Sequence, residues 1–186
     1  MVFRPELSWE FYSADEIHAK TIRALRNHVR HIREVSPYYR SLLADVVVDD
    51  IKSLEDFSRL PLTRKGTLAD RAEEFVAVPP ENIVETVVTS GSTGKPVVFS
   101  LTESDLDRLS YNEALCFHGA GVTRGDRAQI FTSLDRLFIA GMAYYRGLTV
   151  LGANTSRIGV LPVEMQKHYL ELLKPTVIVG VPSFLR

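Results

Sequence analysis

Hydrophobic positions along this chain follow a helical period in the first third and then alternate between helical and strand-like runs. Ser13-Ala14-Asp15-Glu16 has the form of a capping box and starts the first predicted helix. Ile17, Thr21, Ala24, Leu25, His28, Ile32 and Val35 then recur at helical spacing. Lys20, Arg23, Arg26, Arg30 and Arg33 fall mostly elsewhere on the wheel and read as a solvated face. Pro37 stops this helix, and Pro37-Tyr38-Tyr39-Arg40 begins a short second one ending near Leu43. From Ala44 to Pro61 the period is lost, with Ser53-Leu54-Glu55-Asp56-Phe57 as a brief capped turn. Leu60 to Leu68 then places a proline ahead of a short helical segment.

Strand-like runs begin at Val84. Val84 to Thr89 leads into a Ser/Gly-rich stretch, and Val97 to Leu101 leads out of it. Thr102-Glu103-Ser104-Asp105 caps a helix running to about Phe117, with Leu106, Leu109 and Cys116 inward and Gly119 and Gly121 at its end. After the turn Thr123-Arg124-Gly125-Asp126, predicted strands at Ala128–Thr132, Leu148–Gly152 and Thr176–Gly180 alternate with helices at Leu137–Arg146 and Pro162–Leu173. The pattern is βαβαβ, which predicts an α/β fold with a parallel sheet. In such sheets ligands bind beyond the carboxyl ends of the strands, here Thr132-Ser133-Leu134, Ala153-Asn154-Thr155 and Val181-Pro182-Ser183. The expected division is a helical region over residues 1–80 and an α/β region over 81–186.

Composition narrows the partners. The 186 residues are 45% hydrophobic and 24% charged with a formal net charge of −1, as in an ordinary globular protein. A nucleic-acid binder needs a surplus of Lys and Arg, and none exists here. The single cysteine, Cys116, excludes an internal disulfide framework and a cysteine-rich zinc site, which fits a cytoplasmic location. It reads as a small core residue. No apolar run reaches membrane-spanning length, and Arg4, Glu6 and Glu10 break any secretory core, so no membrane partner is expected. His28 and His31 lie three apart without neighbouring ligands to complete a metal site. His118, at a predicted helix end, is a polar cap or an active-site base.

The chemistry concentrates in Thr89-Ser90-Gly91-Ser92-Thr93-Gly94-Lys95-Pro96. Gly91 and Gly94 permit positive φ and close backbone approach, Ser90, Ser92 and Thr93 add hydroxyl donors, and Lys95 adds charge. These are the means by which a loop cradles a polyphosphate. A Walker A loop is excluded by spacing, and Pro96 followed by Val97-Val98-Phe99 predicts a glycine-rich hairpin, not a helix start. By composition alone, a plain hairpin turn remains an equal reading.

The octapeptide resembles the signature loop of adenylate-forming enzymes, the acyl-CoA synthetase and ligase superfamily. Pro37-Tyr38-Tyr39-Arg40 and Leu60-Pro61-Leu62-Thr63, in that order before the loop, look like the N-terminal region of the phenylacetate-CoA ligase and coenzyme F390 synthetase-like branch. Val122–Asp126 is similar to the family's Gly-Asp turn, and Gly180–Leu185 to its Gly-Thr-Pro-Ser segment.

This resemblance implies the N-terminal portion of an ATP-dependent ligase that adenylates a carboxylic acid, possibly an aryl acid, and transfers the acyl group to CoA. Ser90, Gly91, Ser92, Thr93, Gly94 and Lys95 would hold the ATP phosphates. Leu134, Phe138, Gly141, Pro182 and Ser183 would line the acyl pocket, with Arg136 a departure from the family's aromatic-glycine stretch. No catalytic residue is assigned. Mg2+ is implied, but its ligand is expected outside this chain. The family's adenine-stacking segment, ribose-binding aspartate and mobile-domain lysine are absent, so the chain alone is expected to be inactive and able to self-associate through exposed apolar surface. The alternatives are a non-catalytic nucleotide-binding or assembly module and an unrelated phosphate-loop hydrolase.

Overall fold

Ser13 closes the predicted box: its hydroxyl accepts from Glu16 N–H at 3.3 Å, and the Glu16 carboxylate accepts from Ser13 N–H at 2.8 Å. The helix so capped, α1, spans Ala14–Val35 in a computed structural model that describes residues 11–91 and 94–184. Its inward face differs from the expected one. Ile22 and Val29 are the buried positions, whereas Ile17, Ala24 and His28 are exposed. The stripe is turned because the chain after α1 is bound by arginines. Arg26 and Arg30 both donate to Asp49 Oδ1, at 2.7 and 3.1 Å, and Arg33 donates to the Val46 carbonyl at 2.7 Å. These guanidiniums hold a neighbouring segment, so they are not simply a solvated face.

Ser36 both ends α1 and starts α2, Pro37–Leu42, and its hydroxyl donates to the Glu74 carbonyl at 2.8 Å. Helices α3, Leu54–Ser58, and α4, Lys65–Asp70, complete this helical part. Its core is Val29, Leu43, Val48 and Ile51, packed against Ile32, Leu42, Phe57 and Leu60. The two N-terminal motifs are joined within it. Tyr39 and Thr63 share a hydroxyl–hydroxyl bond of 3.0 Å, and Tyr38 stacks on Phe75 at 4.0 Å between ring centroids.

Strands β1, Ile83–Val88, and β2, Val98–Thr102, pair in a two-stranded sheet. The chain separates into two units. One holds the helical part up to Ile83 together with Thr89–Ser100; the other holds Val84–Val88 and the chain from Leu101 onward.

In the second unit, α5 spans Glu103–Gly119, capped by Thr102 and Asp105 as predicted. It ends in a Schellman arrangement: Gly121, at φ +88°, donates to His118 O at 2.9 Å and Val122 donates to Phe117 O at 2.9 Å. Leu106, Ser110 and Ala114 form its buried line, and Cys116 is exposed, contrary to expectation. Inward positions follow steps of four from Leu106, which puts Cys116 on the opposite side.

The parallel sheet is present, in the order β4-β3-β5, with β3 at Arg127–Phe131, β4 at Asn154–Arg157 and β5 at Val177–Gly180. In register, Ala128 faces Thr155 on one side and Val177 on the other. Ala128, Gln129, Ile130 and Phe131 are all buried, as in a central strand covered on both faces. Gln129 is the polar exception. Its amide donates to the Tyr169 carbonyl at 3.1 Å, from helix α7, Val163–Leu173.

The expected strand at Leu148–Gly152 is instead the end of a helix. α6 runs Ile139–Leu151 and stops at Gly152, φ +90°. A short apolar run does not distinguish strand from helix, and here burial decides: Leu148 and Leu151 are inward while Thr149 and Val150 are exposed. The strand that follows, Asn-Thr-Ser-Arg, is too polar to show a hydrophobic pattern. The ligand-end expectation changes with it. Asn154 pairs with Arg127, so Ala153-Asn154-Thr155 lies at the amino end of the sheet and not at the carboxyl end.

Asp126 ties those amino ends together. Its Oδ2 accepts from Thr123 N–H at 2.7 Å, its Oδ1 from the Thr176 hydroxyl at 2.7 Å, and its carbonyl from Asn154 N–H at 3.0 Å. The Thr176 bond first, then those of Thr123, hold the carboxyl below its ordinary value. A depressed folded-state value means stabilisation that is present above the ordinary carboxylate range and lost as pH falls below that range through the lowered folded value. Wild-type and Asp126→Asn chains should therefore differ in Tm at neutral pH and converge only as the buffer is acidified below pH ~4. A constant difference would refute the assignment.

Candidate phosphate site

The loop is closed at its base by one residue pair. Thr89 N–H donates to Val97 O at 3.0 Å, and Val97 N–H donates back to the Thr89 hydroxyl at 2.9 Å. The Val97 side chain is buried beneath it. Beyond that base, Gly94 N–H donates to Gly91 O at 3.0 Å, forming a turn. Gly91 has φ +65°, and a Cβ there would lie 3.0 Å from Gly94 O and 3.1 Å from Pro96 N. Only glycine fits without strain. Gly94, at φ +152°, is also in a region other residues avoid, and Ser90 is exposed. Ser92 and Thr93, expected to supply hydroxyls at the hairpin tip, lie outside the described residues.

Lys95 is directed at α4. Its Nζ lies 2.6 Å from Asp70 Oδ1, across 25 residues of sequence. That hydrogen bond, reinforced by the charge of the same carboxylate, raises the lysine above its ordinary value and keeps it an ammonium. Lys65, Gly66, Ala69, Asp70, Gly94 and Lys95 line one open cavity of about 350 Å³. The cavity brings Lys65, Lys95 and the Asp70 carboxylate together beside the exposed Gly94, with room for a phosphate chain. Asp70 and Lys65 escaped the sequence reading because no local spacing links α4 to the loop.

The residues expected around an acyl group lie in the other unit. Thr132–Leu134 continue β3 and Val181–Ser183 continue β5, and Phe131 pairs with Gly180, so both segments emerge from the carboxyl end of the sheet. Pro182 and Ser183 are exposed in a 3-10 turn, Pro182–Phe184. Leu134 is half-buried and Gly141 buried. A Cβ on Gly141 would fall 2.0 Å from the Ser133 carbonyl oxygen, so the glycine lets the first turn of α6 lie directly against Ser133-Leu134. Phe138 is 47% exposed, so it is not a core residue. Between them, Arg136 and Leu137 both have positive φ, 58° and 61°, and Phe138 N–H donates to Asp135 O at 3.2 Å. Leu137 O accepts from Val88 N–H at 3.1 Å, which anchors this turn to β1. Two consecutive left-handed residues without glycine gave no warning in the sequence.

Among the described residues, no group of three or more His, Cys, Asp or Glu side chains could hold a metal ion. No described helix is long and apolar enough to cross a membrane.

No family model matches the chain. It is similar to a phenylacetate-coenzyme A ligase of Aromatoleum evansii, 32% identical over 93% of this chain and 40% of the relative. Ligases of the same description from Escherichia coli (strain K12) and Thermus thermophilus are each 30% identical, over 94% and 99% of this chain. The chain spans about 40% of the length of these curated relatives. Its fold is similar to that of a crystallised 2-hydroxyisobutyryl-CoA ligase in complex with 2-HIB-AMP and CoA. That comparison gives a TM-score of 0.84 at 24% identity, over 92% of this chain and 38% of that one.

Proposed function

We propose that this chain, which spans about 40% of the length of the phenylacetate-coenzyme A ligases it is similar to, belongs to the adenylate-forming enzymes and supplies the phosphate-binding part of an acid–CoA ligase. The reaction would convert a carboxylic acid and ATP to an acyl-adenylate and pyrophosphate, then pass the acyl group to CoA. The supporting observation is the convergence of Lys95, Gly94 and Lys65 on one cavity. In this reading the Gly91 N–H and the Ser90 hydroxyl donate to the β- and γ-phosphates, Gly94 shapes the turn through its own bond to Gly91 O, and Lys95 neutralises the phosphates. Ser92 and Thr93 would add donors, and Leu134, Phe138, Gly141, Pro182 and Ser183 would face the acyl group. Bound Mg2+ would contribute further neutralisation of the phosphates; among the described residues no group of three or more His, Cys, Asp or Glu side chains could hold it.

The test is calorimetric titration of ATP with Mg2+ into the full chain and its Lys95→Ala variant. Wild type should bind, and the variant should bind about tenfold or more weakly, the loss expected for a charged hydrogen-bond donor on phosphate. Equal affinity would remove Lys95 from the site. A folded chain that gives no heat would favour the assembly-module reading instead.

A further inference from the structure

The contact between Lys95 and Asp70 does little for the fold. Side-chain exposures of 75% and 55% put the pair in water, where such bridges contribute little stability. Its location is also poor for a carboxylate. Asp70 is the last residue of α4, where the helix dipole disfavours negative charge, and no basic residue occupies that last turn. The cation comes from the loop instead. Of the other exposed carboxylate pairs in this unit, Arg59 with Glu55 and Arg71 with Glu74 are local, and Arg26 and Arg30 with Asp49 fasten α1 to the segment that follows it, whereas this one reaches from α4 into the cavity that the loop lysine lines.

We propose that Asp70 is a positioning residue of the phosphate site: an internal anion that holds the Lys95 ammonium over the cavity and yields it to the terminal phosphate of an incoming polyphosphate. This rests on the phosphate-loop reading and extends it to a residue of α4. One ammonium serves two anions in turn. While Asp70 holds it, a ligand must displace a hydrogen-bonded carboxylate and then lie beside that carboxylate's charge. The cost falls on ligands whose phosphate chain reaches Lys95, not on those that end short of it.

The experiment compares ATP, AMP and inorganic tripolyphosphate by calorimetry on the full chain in four forms: wild type, Asp70→Asn, Lys95→Ala and the double variant, with far-UV circular dichroism to verify folding. Asp70→Asn should bind ATP and tripolyphosphate about two- to fivefold more tightly, the range that loss of an exposed pair allows. Its affinity for AMP should be unchanged, and the gain should vanish in the Lys95→Ala background. A purely structural role for Asp70 would not alter the ratio of ATP to AMP affinity. Should Asp70→Asn misfold, Asp70→Ala reads the same ratio. If Lys95→Ala weakens tripolyphosphate binding while Asp70→Asn leaves it unchanged or weaker, the exchange is overturned and the phosphate loop stands. If wild type and Lys95→Ala bind tripolyphosphate equally, or neither binds, both fall together.

Discussion

Replacing Gly147 with alanine is expected to destabilise the chain by about 2 kcal/mol, within the range that overpacking a tight contact costs. Helix propensity alone predicts the opposite sign, a gain of roughly 1 kcal/mol for removing a glycine from a helix interior. Packing decides because Gly147 is where α6 meets α5. A Cβ there would lie 2.4 Å from Glu113 Cβ and 2.9 Å from Ala114 N, and backbone cannot step aside as a flexible side-chain tip can. The small residues Ser110 and Ala114 line the same side of α5. Arg146 then fastens the crossing, donating to the Ser110 hydroxyl at 2.9 Å and to Glu103 at 3.1 Å. Urea denaturation of wild type and Gly147→Ala would measure the difference. An unchanged or raised midpoint would show that the helices do not approach this closely.

A larger loss is expected for Phe131→Ala, about 3–5 kcal/mol by the same measurement. Phe131 ends the central strand with no exposed surface, so truncation removes a ring from a space that surrounding strands and helices cannot fill. Phe138→Ala is the contrast. Its ring is 47% exposed, and its loss should change stability by less than about 0.5–1 kcal/mol. Similar losses at both positions would mean that Phe138 is a structural residue and has no claim to a binding surface.

That contrast shows where sequence reading loses its force. The capping boxes at Ser13, Ser53 and Thr102 were legible because a cap is written in four consecutive residues. The parallel sheet followed from strands β3 and β5, whose apolar runs are bounded by clear turn signals. β4 was not legible. Its four residues are polar, and the apolar run mistaken for it owes its burial to helical steps between Leu148 and Leu151. On α1, the buried face was misplaced because arginine stems occupy part of the inward side, which a hydrophobic count ignores. In the candidate phosphate site, the loop stands out in sequence through its glycines and lysine, but its cavity partners are set by tertiary placement 25 residues away.

The boundary between the two units has a bearing on inheritance and engineering. Thr89–Ser100 groups with the helical part, although the strands on either side of it run into the other unit. A graft of the loop as a continuous cassette would thus carry Lys95 without Lys65 or Asp70, the side chains that share its cavity. The smallest transferable unit is discontinuous: α4 and the loop, with the Tyr39–Thr63 bond that anchors the approach to α4. Recombination between relatives should tolerate exchange of the β3–α6–β4 segment more readily than any crossover between residues 70 and 89, where a change of parent separates Lys95 from the Asp70 it contacts.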